Sequence, residues 1–215
     1  MVDWPGQLTA VIFCQGCAWR CGYCHNPHLI PFGAPAQPIA WTEIVAFLDR
    51  RRGLLDGVVF SGGEPTLQSG LRAAIETVRG MGFRIGLHTG GPAPELLASI
   101  LPLLDWVGFD FKAPFDRYLQ VTGHPHGARA QESFALLRAA GVACEVRTTW
   151  HPRLLSTADL SAMAASLVAA GGTEWIIQRF RPEGCADETL CSETIGEVPV
   201  AGLQATFPTL RLTVR

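Results

Sequence analysis

Short apolar runs alternate with amphipathic stretches through most of this chain. Leu8, Thr9, Ala10, Val11, Ile12 and Phe13 form an unbroken run rich in β-branched side chains, the pattern of a strand buried on both faces of a parallel sheet. Similar runs recur at 57–60, 83–87, 106–111, 143–150 and 174–180. Between them the apolar positions fall at helical spacing. Ile44, Phe47 and Leu48 mark a helix that Thr42 can cap and that ends near Gly53. Further helices are expected over about 68–79, 94–101, 129–140 (apolar Phe134, Leu136 and Leu137) and 156–170, the last capped by Ser156. Pro31, Pro35, Pro38 and Gly33 exclude helix interior from 31–40. Residues 116–127, with His124 and His126 around Pro125, read as a surface loop without a role. After residue 180 the tail reads as a polar loop ending in a short strand at 210–214.

Six strand-helix units imply a right-handed parallel array with its site at the C-terminal edge of the strands. A full eight-unit barrel takes roughly 250 residues, and this chain has 215. The expected fold class is therefore α/β, a partial (βα)6 TIM-like barrel with a parallel sheet, as one domain over 1–215.

Composition narrows the class without naming a chemistry. An apolar share of 48% with 17% charged residues describes a folded chain, not a disordered one. The net charge of -2 gives no footprint for nucleic acid. No apolar run reaches the roughly 18 residues a membrane span needs, and the start lacks a basic signal region, so a cytoplasmic protein without a membrane partner is expected.

The candidate chemistry starts where the first strand stops. Four of the seven cysteines, Cys14, Cys17, Cys21 and Cys24, crowd into one stretch. In a reduced compartment such crowding points to metal rather than disulfides. A zinc site would need a second hook, and Cys144, Cys185 and Cys191 are scattered. A closed ferredoxin cluster could nominally use all four thiolates, but the gaps run in a different order. Cys17-x3-Cys21-x2-Cys24 remains: three thiolates that would hold a 4Fe-4S cluster and leave one iron open to a substrate, with Cys14 a small buried residue at the strand end.

Other strand ends carry polar groups too. The second runs into Gly62-Gly63-Glu64, where a glycine pair lets the backbone approach a ligand and Glu64 offers a carboxylate to a cation such as an ammonium. The third ends at His88-Thr89. Asp110 and Lys112 alternate with apolar residues and share a face, either lining a barrel mouth or pairing to seal it. Glu145, Arg147 and Thr149 share a face of the fifth strand, which takes Arg147 toward the interior that Lys112 reaches.

The Cys17-x3-Cys21-x2-Cys24 loop, with aromatic Tyr23 before its last cysteine, resembles the signature of the radical S-adenosylmethionine (radical SAM) superfamily. Gln15-Gly16-Cys17 and Tyr23-Cys24-His25-Asn26-Pro27 are most similar to the activases of glycyl radical enzymes, in particular those of anaerobic ribonucleoside-triphosphate reductase. The resemblance implies one 4Fe-4S cluster and S-adenosylmethionine as cofactors. It implies that Gly62, Gly63 and Glu64 hold the methionine amino group. Tyr23, His88, Thr89, Lys112, Arg147 and Gln178 would complete the cofactor site. The family has Asp where His88 stands, so His88 either donates in its place or is a strand-end residue satisfied by backbone. One electron, from a flavodoxin- or ferredoxin-type donor, would cleave the sulfonium bond, and the resulting 5′-deoxyadenosyl radical would take a hydrogen atom from a glycine of a partner enzyme. The segment from Val2 to Gly6 also resembles the activases and is expected to line the opening for that protein loop. The same barrel hosts other chemistries, and a small molecule or nucleotide as substrate is the alternative.

Overall fold

The computed structural model describes residues 3–33 and 37–215. Val2 and residues 34–36, parts of two segments discussed above, lie outside the described residues. Seven strands form one sheet: β1 Thr9–Cys14, β2 Gly57–Gly62, β3 Arg84–Thr89, β4 Trp106–Asp110, β5 Cys144–Trp150, β6 Glu174–Arg179 and β7 Arg211–Val214. They follow in chain order and every neighbouring pair is parallel. The sheet does not close, so β1 and β7 are its edges. The α/β partial barrel is thus as expected, and the short strand expected at 210–214 is β7, the seventh of the sheet. β7 pairs with β6 from Glu174↔Arg211 to Ile177↔Val214.

Helices cover the outer face: α1 Trp41–Asp49, α2 Leu71–Gly80, α3 Pro94–Ile100, α4 Tyr118–Thr122, α5 Gly127–Ala140, α6 Thr157–Ala169, α7 Glu188–Cys191 and α8 Val200–Thr206. Strand alternation sends Phe60, Leu87, Phe109 and Ile177 outward into the main core beneath them. The opposite set, including Ser61, His88, Asp110, Arg147 and Gln178, faces the barrel interior and its cavity.

Several boundaries differ for local reasons. Thr42 lies inside α1; the cap is Ala40, whose N–H donates to Glu43 Oε2 at 3.3 Å. α2 starts at Leu71 because Pro65–Leu67 first makes a 3-10 turn capped by the Glu64 side chain. Ser156 caps α6 in a reciprocal capping box with Asp159. The expected surface loop at 116–127 instead holds α4, whose Tyr118, Val121 and Thr122 are buried. Their i, i+3, i+4 spacing is a helical stripe too short to stand out in the sequence. α7 and α8 bury Leu190 and Leu203, so the tail is packed and not merely a polar loop.

The floor of the barrel is made by Trp4. Its ring stacks on Trp106 at a centroid distance of 5.6 Å and is 3% exposed. A β-carbon on Gly86 would meet that ring at 2.9 Å and one on Gly57 at 3.1 Å, so the indole lies where these two strands carry no side chain. The N-terminal segment therefore closes the floor, although Asp3 also reaches the cavity wall.

Candidate active site

The loop after β1 is fixed mainly by its own backbone. Gly16 and Cys17 donate their N–H groups to Leu29 and Ile30 carbonyls at 2.8 and 3.0 Å. Arg20 N–H donates to Thr122 O at 2.7 Å and Gly22 N–H to Val121 O at 3.3 Å, so α4 is the dock for the middle of the loop. Trp19 is 1% exposed and meets Tyr118 edge-on at 5.8 Å. The far side is held by the tail: Cys185 Sγ donates to Gly22 O at 3.3 Å, and His25 Nε2 donates to Arg181 O at 2.9 Å.

Gly62 and Gly63 are what let β2 end against this loop. Gly62 has φ +117°, and a β-carbon there would overlap Cys14 main-chain atoms; one on Gly63 would overlap Gly16 O. Gly63 N–H donates to Cys14 O at 2.8 Å and Glu64 N–H to Gly16 O at 2.9 Å. The close approach expected toward a ligand is thus first an approach to the chain's own cysteine loop. Glu64 is likewise already engaged. It is 3% exposed and accepts from Thr66 N–H (3.1 Å), Thr66 Oγ1 (2.7 Å), Thr89 Oγ1 (2.6 Å) and Gly90 N–H (3.0 Å). Burial raises its pKa while these donors work the other way. Oε2 carries only the Gly90 bond and keeps acceptor capacity toward the cavity that Glu64 lines. Thr89 ties the ends of β2 and β3 together.

His88 belongs to the floor network. Its Nε2 lies 2.7 Å from Asp3 O, an obligate acceptor, so Nε2 carries the proton and Nδ1 accepts from Ser61 Oγ at 3.2 Å. The 3.3 Å approach of Arg147 Nη1 to the same nitrogen is then a contact rather than a hydrogen bond. Burial, with Arg147 adding to it, pushes the His88 pKa down to about 4, so the ring is neutral. Of the two roles the sequence left open, the Asp3 O partner matches the second, a strand-end residue satisfied by backbone.

Above it lies a charge cluster. Asp110 Oδ1 accepts from Arg147 Nη2 at 2.9 Å, and Asp110 Oδ2 lies 3.6 Å from Lys112 Nζ. Burial opposes the Asp110 charge, but Arg147 and Lys112 outweigh it and its pKa falls below the usual carboxylate value. Burial also opposes the Lys112 ammonium, which neighbouring Tyr23, Cys21 and Asp110 hold well above the ordinary lysine pKa. Asp110 is the one of these that is ionised at neutral pH. Two cations against one anion leave this wall with a net positive charge, suited to an anionic ligand group. Lys112 Nζ also sits 5.4 Å from the Trp19 ring and 5.8 Å from the Tyr23 ring, which links the cluster to the cysteine loop. Asp110 and Lys112 are therefore both an ion pair and part of a cavity wall.

That cavity has a volume of about 580 Å³, within the range of small-molecule sites. Cys17, Cys21 and Cys24 line it; Cys14 does not. Tyr23, Gly62, Gly63, Lys112, Arg147 and Gln178 line it as well. Every residue read from the sequence as a site candidate thus reaches one cavity. Trp19, Ser61, Thr149, Arg181 and Glu183 line it without having been singled out. Ser61 and Thr149 were readable by alternation from Val59 and Arg147, whereas the two tail residues arrive through a loop with no periodic pattern. Among the described residues no three His, Cys, Asp or Glu side chains converge closely enough to hold a single metal ion. Burial raises the Cys17 pKa and takes that of Cys21 up to about 11, protons that leave when a thiol ligates iron. Three thiols on one wall, charged groups within the same cavity and a fully buried Trp19 Nε1 without a partner among the described residues fit a bound cluster with a polar ligand.

Residues 11–159 match the sequence model of the Radical SAM superfamily. The chain belongs to the radical SAM superfamily. Its cofactors are accordingly a 4Fe-4S cluster and S-adenosylmethionine. Among radical SAM relatives, a Methanocaldococcus jannaschii protein named as a glycyl-radical enzyme activating enzyme is 31% identical over 197 residues, 87% of this chain and 79% of the relative. The pyruvate formate-lyase-activating enzyme of Clostridium pasteurianum is 31% identical over 175 residues, 78% of this chain and 72% of its own length. The fold is shared with Streptococcus suis SuiB bound to S-adenosylmethionine, at a TM-score of 0.68 and 14% identity over 99% of this chain. The chain spans about half the length of that structure, 51%. This radical SAM enzyme is thus homologous to glycyl-radical enzyme activating enzymes.

Proposed function

We propose that this protein is a glycyl radical enzyme activase, acting on anaerobic ribonucleoside-triphosphate reductase in the cytoplasm as one radical SAM domain over residues 1–215. Cys17, Cys21 and Cys24 would hold the cluster, and Cys14 would stay outside the ligand set. When bound, the reduced cluster and S-adenosylmethionine supply one-electron cleavage of the sulfonium bond and the radical that removes a hydrogen atom. A flavodoxin- or ferredoxin-type protein delivers the electron.

The chain's own residues bind, orient and exclude water. Lys112 and Arg147, in excess over Asp110, receive the carboxylate of the cofactor. Gly62, Gly63 and Glu64 face its ammonium group, with Glu64 locked in one orientation by Thr66, Thr89 and Gly90. Tyr23 and Gln178 flank the nucleoside, while neutral His88 braces the floor from below.

The observation that carries this reading is that the three thiols and the Asp110–Lys112–Arg147 cluster line one cavity of a barrel with an open side. The test mixes cluster-loaded, reduced protein and S-adenosylmethionine with purified anaerobic ribonucleotide reductase or, in a parallel reaction, pyruvate formate-lyase, and seeks a glycyl radical by electron paramagnetic resonance. A radical on that enzyme is the expected result. A radical on pyruvate formate-lyase alone would reassign the partner, and 5′-deoxyadenosine release with no protein radical on either would overturn the activase reading.

A further inference from the structure

An open barrel leaves two flanks that a closed one would cover. At the β1 flank, a groove of about 940 Å³ runs between the strand and α1, walled by Val11, Phe13, Ile39, Ile44 and Phe47. Its ionisable lining is limited to His28 and Glu43. Of the nine exposed large apolar side chains among the described residues, Phe13, Ile39 and Phe47 line this one groove. Ile39 is 70% exposed, Phe13 55% and Phe47 41%. Scattered single exposures are ordinary, whereas a concentration along one edge marks an interaction surface.

The main chain of β1 is open on the same side. Leu8 O and Cys14 O accept from Asp56 and Gly63 N–H groups, so the even-numbered residues turn their backbone groups toward β2. Thr9, Val11 and Phe13 consequently turn theirs to the outer edge, where no described residue hydrogen-bonds to them. Phe13 is also part of the wall of the cofactor cavity, so groove and cavity are continuous through one side chain.

We infer that this flank docks the partner polypeptide: an extended apolar segment adjoining the loop whose hydrogen is removed adds to the open edge of β1 and sets alternate side chains into the groove toward α1. The inference rests on the activase reading, which requires a protein loop to enter the cavity, and Phe13 is where such a loop would leave it. Main-chain pairing supplies affinity on any sequence, and the groove supplies selection for apolar residues. A second copy of this chain could cover the flank too, but its docking there would not exploit the continuity with the cavity.

The test uses full-length, cluster-loaded protein and Phe47→Asp, Ile39→Asp and, as a distant control, Leu119→Asp. All three sites are exposed, so the folded state is expected to persist, which circular dichroism checks. Affinity for purified anaerobic ribonucleotide reductase and pyruvate formate-lyase is measured beside partner-independent release of 5′-deoxyadenosine. The expected result is at least tenfold weaker partner binding for Phe47→Asp and Ile39→Asp, with partner-independent release within twofold of wild type and Leu119→Asp unchanged in both. Undiminished binding by the two groove variants overturns the docking surface while leaving the activase reading intact. So does a wild-type dimer that Phe47→Asp dissociates without weakening partner binding. Wild-type protein that binds neither enzyme overturns the activase reading and the inference together.

Discussion

The two edges of the sheet are built in opposite ways. β7 is four residues long, and its rim carries paired charges: Arg211 with Glu174, and Arg215 with Glu145 at 2.8 Å. These are standard protections against strand addition. β1 is six residues long, its flank is apolar and its outer backbone is open. The difference teaches that an unprotected edge in this barrel is placed and not general, because it occurs only where the edge abuts the cysteine loop and its cavity.

The contrast is broken most severely by removing the chemistry next to β1. Ala in place of Cys17, Cys21 or Cys24 should each abolish the cluster's visible absorbance and 5′-deoxyadenosine release, while Cys14→Ala keeps most of both. Equal loss with Cys14→Ala would put the fourth cysteine in the ligand set. Next comes the floor. Trp4→Ala should cost about 3–5 kcal/mol in urea unfolding, as for large aromatic deletions from a core, and a cost under about 1 kcal/mol would mean the floor refills.

The third effect depends on pH. The folded His88 pKa, about 4, lies below the ordinary 6.5, so the unfolded chain binds the extra proton between them. Stability contributed by neutral His88 is therefore whole above about pH 6.5 and falls as pH drops toward 4, by at most roughly 3 kcal/mol. His88→Gln should flatten that acid limb; an unchanged slope between wild type and variant would refute the assignment. The smallest effect is expected on the β7 side. Arg211→Ala should change stability by less than about 1 kcal/mol, an effect that fades in about 1 M salt, as for exposed ion pairs.

Much of this was legible before any coordinates. Strand alternation put Lys112 and Arg147 into one interior, and three of the four crowded cysteines line the cavity there. What escaped notice was non-periodic or long-range. α4 is too short to announce itself, yet Thr122 and Val121 carbonyls hold the cysteine loop. Glu64 looked free to meet a cation because nothing in Gly62-Gly63-Glu64 shows that Thr89 and Gly90 come to it from the next strand. The tail's grip, Cys185 on Gly22, spans 163 positions, and no local pattern encodes a contact at that separation.

Trp4 has one more consequence. Its resting place is made of Gly57, Val59, Gly86 and Trp106, all supplied by strands that follow it in the chain. A stretch that leaves the ribosome early must therefore wait, unseated, until three later strands have paired. The keystone of the barrel's underside is set only after β2, β3 and β4, and with it the Asp3 carbonyl that gives His88 its proton acceptor.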